Sequence, residues 1–138
     1  MAEKLKLELV SPERKLLSIE VDEVVAPGVE GYFGVLPGHT PFLTALRIGE
    51  LAYKIGGKEE YVAIDRGFIE VLNDNVVVLA ESAELGREID LEEAIRRKLE
   101  FEKELEKTRH EDERIFRRTE AELMRELVRV SIAEKYKK

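Results

Sequence analysis

Residues able to do chemistry are scarce in this chain. There are two histidines, His39 and His110, and no cysteine. Neither histidine has a His, Cys or Asp at metal-ligand spacing, so no metal site is expected. Four serines, Ser11, Ser18, Ser82 and Ser131, lie outside any nucleophile elbow. The run Gly28-Val29-Glu30-Gly31-Tyr32-Phe33-Gly34 superficially looks like a phosphate loop. A phosphate loop must open a helix, so that backbone N–H groups and a lysine meet the phosphates. Here Val35-Leu36-Pro37 follows, which is extended, and a nucleoside-triphosphatase site is rejected. Hydrolase, metal and redox chemistry therefore find no residues to carry them, and no catalytic residue is assigned.

The surrounding chain reads as two different polymers. All nine glycines and all four prolines fall in residues 1–86. Charge divides at the same place: 8 Lys+Arg and 15 Asp+Glu before residue 87, then 15 and 15 after it. An abrupt shift of this kind marks a domain boundary, giving domains of 1–86 and 87–138. The net charge of −7 argues against nucleic-acid binding, which needs a basic surface. No apolar run approaches the ~18 residues of a membrane span. The alternating Lys, Glu and Leu of the start resemble neither a signal peptide nor a lipidation signal. Lack of cysteine fits a reducing compartment. A cytoplasmic protein without direct membrane insertion is expected.

Leu5, Leu7 and Leu9 alternate with Lys6 and Glu8, the period-2 pattern of a half-buried strand. Further short runs cover 16–25, 43–48, 50–55, 60–64, 68–72 and 76–80. Gly56-Gly57 and Asn73-Asp74-Asn75 between them supply the positive φ of tight hairpins. About eight to ten strands are expected, as a β-sandwich or flattened barrel.

Residues 87–138 read as two helices. Asp90 caps the first, which runs to about Thr108. Asp112 caps the second, which runs to about Glu134. A link of a few residues makes the pair an antiparallel hairpin. The fold class is thus β + α, a sandwich followed by a helical hairpin. On a helical wheel Leu91, Ala94, Ile95, Leu99, Phe101 and Leu105 form one stripe, interrupted by Lys98 and Glu102. Ile115, Phe116, Thr119, Leu123, Leu127 and Val130 form another. A weaker third stripe holds Ala121, Met124, Val128 and Ile132. Arg114, Arg118, Arg125 and Arg129 line a separate face. Two apolar faces on one helix suggest a partner or a second packing.

The stretch from Gly28 through Pro37-Gly38-His39-Thr40-Pro41-Phe42-Leu43-Thr44 resembles the signature of the ε subunits of F-type ATP synthases. That family typically shows G-x-x-G-x-x-G-[IV]-x-P-x-H-x-P-[LF]-[LV]-T. Gly67-Phe68-Ile69-Glu70-Val71, Asn75-Val76-Val77-Val78-Leu79-Ala80 and Ile89-Asp90 extend the match along the chain. The resemblance implies a ten-stranded sandwich followed by two helices. It also implies a non-catalytic central-stalk subunit that couples proton translocation to ATP synthesis and restrains hydrolysis. Its partners would be the γ subunit, the c-ring, and the α and β subunits when the helices extend. Its place would be the cytoplasmic face of the bacterial plasma membrane. By the same resemblance, Val29, Glu30, Gly31, Tyr32 and Phe33 form the c-ring-facing loop, and His39 and Pro41 contact γ. Arg114, Arg118, Arg125 and Arg129 form the inhibitory basic face.

Some family members hold ATP through an I/L-D-x-x-R-A motif. Asp90 and Ala94 match it, and Glu84 stands at the adenine-side acid. Glu93 replaces the arginine and would repel phosphate. No cofactor is assigned, and ATP binding is disfavoured. The reading that competes is a free-standing β-sandwich binding module with a helical tail.

Overall fold

The computed structural model describes residues 3–137. Two compact units divide the chain, one ending at Leu85 and the other beginning at Gly86.

The first unit is built from eight strands. They are β1 (Leu5–Val10), β2 (Lys15–Val21), β3 (Glu23–Gly28), β4 (Gly31–Val35), β5 (Phe42–Leu46), β6 (Gly49–Ile55), β7 (Lys58–Leu72) and β8 (Asn75–Leu85). The order is β2-β1-β8-β7-β5-β3-β4, with β6 paired to β3 and β7. Leu5, Leu7 and Leu9 alternate into the core as their spacing requires, each at most 1% exposed. Val76 and Val78 of β8 join them, together with Ile69 and Val71 of β7.

Eight strands stand where the family pattern implies ten, and two of the runs that look separate are halves of one strand. Residues 60–64 and 68–72 both belong to β7, which changes partners midway. Through Lys58–Ile64 it pairs with β6, and through Gly67–Val71 with β5. The change falls at Arg66 (φ 50°) and Gly67 (φ 147°). A Cβ on Gly67 would lie 2.0 Å from the Leu79 carbonyl oxygen, so only glycine lets β7 and β8 stay in register there. Conversely, the run 16–25 is two strands. Asp22 forms the corner between β2 and β3, accepting from the Gly56 N–H at 2.7 Å and from the Lys4 ammonium. Both contacts hold its carboxyl below the usual carboxylate range, the Lys4 hydrogen bond most strongly.

The two tight turns appear as the sequence demands. Gly56-Gly57 (φ 56° and 84°) joins β6 to β7, and Asn73-Asp74 (φ 50° and 62°) joins β7 to β8. Both pairs of positive φ values fit the right-handed twist of a hairpin.

The second unit holds a short 3₁₀ turn (Gly86–Glu88), α1 (Leu91–Thr108) and α2 (Glu113–Lys135). Asp90 caps α1, accepting from the Glu93 N–H at 3.0 Å. Asp112 caps α2, accepting from the Arg114 N–H at 2.7 Å. That backbone bond, then the Arg114 side chain, lowers the Asp112 pKa. The helices pack as an antiparallel pair, but not quite along the expected stripes. Ile95 and Leu99 are exposed, while Ala94, Phe101 and Leu105 of the expected stripe turn inward together with Lys98 and Thr108. On α2, Leu127 is 39% exposed, while its neighbour Glu126 is 4% exposed. Thr108 and Thr119 satisfy their hydroxyls on their own helices, donating to the Leu105 carbonyl at 3.1 Å and the Ile115 carbonyl at 3.0 Å.

Candidate protein-binding surface

Strand register places an apolar row on the outer face of the sandwich. Ala45 of β5 lies opposite Phe68 of β7, Phe68 opposite Leu79 of β8, and Leu79 beside Val10 of β1. Phe68 is 57% exposed and Leu79 55%. The next row along β5 presents Leu43, 66% exposed, opposite Glu70. Four adjacent strands thus carry apolar side chains on the side away from the core. At the row's border Arg66 Nε meets Glu81 Oε2 at 3.3 Å. A shallow depression of about 540 Å³ runs along the row, with Ser11 and Pro12 on its rim. Phe68 and Leu79 were not singled out as site residues from the sequence. The available signal was Val76-Val77-Val78-Leu79-Ala80, a strand apolar on both faces, which normally means both faces are covered.

The segment 29–33 is the tip of the β3–β4 hairpin. Gly28 pairs with Gly31, leaving Val29 and Glu30 exposed in a two-residue turn. The Val29 N–H donates to the Ala45 carbonyl at 3.0 Å and the Arg47 N–H to the Pro27 carbonyl at 3.0 Å, so β5 holds the tip. The Tyr32 hydroxyl accepts from the Glu50 N–H at 3.2 Å, and the Arg47 guanidinium stacks 4.8 Å from its ring centre. Phe33 is half-buried and meets Phe42 edge-on, 5.2 Å between ring centres. Rigid aromatics therefore support an exposed Val29-Glu30 pair.

His39 and Pro41 lie in the segment between β4 and β5. His39 Nδ1–H donates to the Thr40 carbonyl at 2.7 Å, and the His39 N–H donates to the Leu36 carbonyl at 3.1 Å. The Gly38 N–H donates to Asp74 Oδ1 at 2.8 Å, tying this segment to the β7–β8 turn. Pro41 is exposed beside Phe42, Leu43 and Leu72, so it continues the apolar outer face.

The four arginines of α2 do not form one open stripe. Arg114 is exposed beside its capping Asp112, with Nη2 3.5 Å from Oδ2, and Arg118 is exposed. Arg125 is half-buried. The Arg129 side chain is only 14% exposed, with Nη1 2.8 Å from Glu126 Oε1 and Nη2 3.0 Å from Glu93 Oε1 of α1. The expected separate basic face is corrected accordingly. The wheel placed these residues together, but burial beside two carboxylates draws Arg129 into the hairpin. The nucleotide-motif residues are engaged as well. The Asp90 carboxylate serves the α1 cap, Ala94 is fully buried, and Glu93 pairs with Arg129. Glu84 lies in β8 opposite Ala63. Among the described residues no group of three His, Cys, Asp or Glu could hold a metal ion.

Comparison with known proteins decides the family. A family model described as the ATP synthase Delta/Epsilon chain β-sandwich domain matches residues 4–86. The ATP synthase epsilon chain of Citrifermentans bemidjiense is 54% identical over 135 residues, covering 98% of this chain and 97% of that one. The chain belongs to the ATP synthase epsilon family. Epsilon chains of Geotalea daltonii and Syntrophobacter fumaroxidans are 53% and 50% identical at the same 98% coverage of this chain, and 97% and 99% of their own. A chain in the Euglena gracilis mitochondrial ATP synthase structure, an OSCP/F1/c-ring assembly, superposes with a TM-score of 0.76 at 27% identity. The match covers 88% of this chain and 76% of that one. A Tetrahymena thermophila central stalk/c-ring chain shares the fold at a TM-score of 0.54 and 14% identity, covering 63% of this chain and 70% of that one. Epsilon subunits are central-stalk components of the rotary ATP synthase, a membrane-associated complex. No helix among the described residues is long and apolar enough to cross a membrane. Membership displaces the alternative of a free-standing binding module.

Proposed function

We propose that the sandwich clamps the γ subunit through its apolar outer face, while the hairpin restrains ATP hydrolysis. The observation that carries this is the row Ala45–Phe68–Leu79–Val10. Two large side chains more than half exposed side by side on a sheet suit a protein partner, because their burial there removes apolar area from water. His39 and Pro41 extend the same contact. Val29 to Phe33 present Glu30 to the polar loops of the c-ring. A sandwich with a close-packed core transmits torque without deforming. The subunit performs no chemistry itself. It works at the cytoplasmic face of the bacterial plasma membrane and helps couple proton flow to synthesis.

Glu93 favours an ATP-independent hairpin, since its carboxylate opposes phosphate and already meets Arg129. Exposed Arg114 and Arg118 supply the basic contacts of the extended state toward the α and β subunits.

The test is reconstitution with γ. Phe68→Asp should weaken γ binding roughly a hundredfold, since it puts a charge into a buried contact, with the sandwich still folded. Unchanged affinity would exclude this face. Removing residues 87–138 should leave γ binding intact and raise hydrolysis in the assembled enzyme. Unchanged hydrolysis would remove the inhibitory role.

A further inference from the structure

The hairpin buries charges and exposes apolar residues. Glu126 is 4% exposed and takes Arg129 Nη1 at 2.8 Å, with Arg97 Nε 3.5 Å from its other oxygen. Arg129 Nη2 reaches back to Glu93 at 3.0 Å. Glu93 and Arg97 come from α1, Glu126 and Arg129 from α2, so the four charges alternate in sign and stitch the helices together. Meanwhile Ile95, Leu99, Met124 and Leu127 are exposed. Where stability is the only demand, apolar residues occupy the seam, because a buried ion pair adds little net free energy over an apolar pair. What such a pair adds is register, together with a large penalty when one partner alone is lost.

We infer that the Arg97–Glu126–Arg129–Glu93 network is a latch that specifies the closed hairpin. Its release, rather than melting of either helix, lets the helices part. Each helix carries its own cap and intrahelical bonds, so parting the seam leaves both intact. Opening also uncovers apolar side chains that α1 turns inward, among them Ala94, Phe101 and Leu105, so the apolar seam favours closure whatever its register. The four charges select the closed register, and a buried charge left without its partner would oppose it. This inference rests on the regulatory reading of the hairpin and names what controls it.

The full-length chain tests it directly. With no native cysteine, Glu92→Cys and Glu134→Cys place two spin labels at exposed sites near the hairpin's open end. The otherwise unaltered chain should give one narrow, short distance without nucleotide. Glu126→Ala leaves Arg129 buried without its nearest carboxylate. It should raise the open-to-closed ratio about a hundredfold, with helix content by circular dichroism unchanged. The paired replacement Glu126→Leu with Arg129→Met removes both buried charges and should restore the short distance. Three results would overturn the latch: a Glu126→Ala chain that stays closed, one that loses helix as it opens, or a double variant that stays open. Hydrolysis by the assembled enzyme is read separately. Labels that part while hydrolysis is unaffected sink the inhibitory reading and leave the latch standing.

Discussion

The sandwich and the hairpin use the same residue types in opposite ways. In the sandwich Leu7, Val62 and Ile69 are sealed in and nearly every charge is outside, while Leu43, Phe68 and Leu79 are among the apolar side chains turned to the surface. In the hairpin Glu126 and Arg129 are inside while Leu99 and Met124 face out. A core of interdigitated aliphatics admits one arrangement, because any slip opens cavities. A seam of half-buried apolar residues mixed with ion pairs and back-bonded threonines has less to lose when it parts. The contrast separates a part that must not deform from a part suited to rearrangement.

The contrast can be broken at its strongest point first. Gly67→Ala puts a Cβ into the Leu79 carbonyl and should cost the sandwich roughly 3 kcal/mol or more, as such backbone conflicts do. Denaturant unfolding measures it, and a loss under 1 kcal/mol would mean the β7 bend is soft. Leu7→Ala should cost about 3 kcal/mol through its cavity. Phe101→Ala in the half-buried seam should cost about half as much or less, since less area is removed from water. Equal losses would erase the distinction between the units. Asp90→Ala removes the α1 cap and should cost about 1 kcal/mol, read as faster amide exchange in the first turn of α1 with the strands unaffected.

The smallest effect is in acid. In the folded protein the Asp22 and Asp112 carboxyls both titrate below the ordinary carboxylate range. Their contributions are therefore complete above about pH 4 and vanish as pH falls through the lowered values. Asp22→Asn should flatten the acid limb of the sandwich, and Asp112→Asn that of the hairpin. If Asp112→Asn altered the acid unfolding of the strands instead, the two units would not be responding separately.

Local signals explain what could be read without coordinates. The Leu5-Leu7-Leu9 alternation, the Gly56-Gly57 and Asn73-Asp74 turns, and the Asp90 and Asp112 caps each depend on residues within a few positions of one another. The motif from Gly28 to Thr44 identified the family for the same reason, since it is contiguous. Wheel positions were less secure. A helical wheel ranks faces by hydrophobicity, so it put Leu127 in the seam and Arg129 on a solvated stripe. The fold placed Glu126 inward because carboxylate and guanidinium could satisfy each other there.

By itself, the sequence determined the break near residue 87, the element types and the family. Tertiary structure alone decided that β1 would lie parallel to β8, that β7 would serve two neighbours, and that Phe68, Leu79, Ala45 and Val10 would share one row. Those outcomes depend on which distant strand fills each vacant ladder of N–H and C=O groups. That choice is settled by burying the whole set of apolar faces at once, and no single segment contains it.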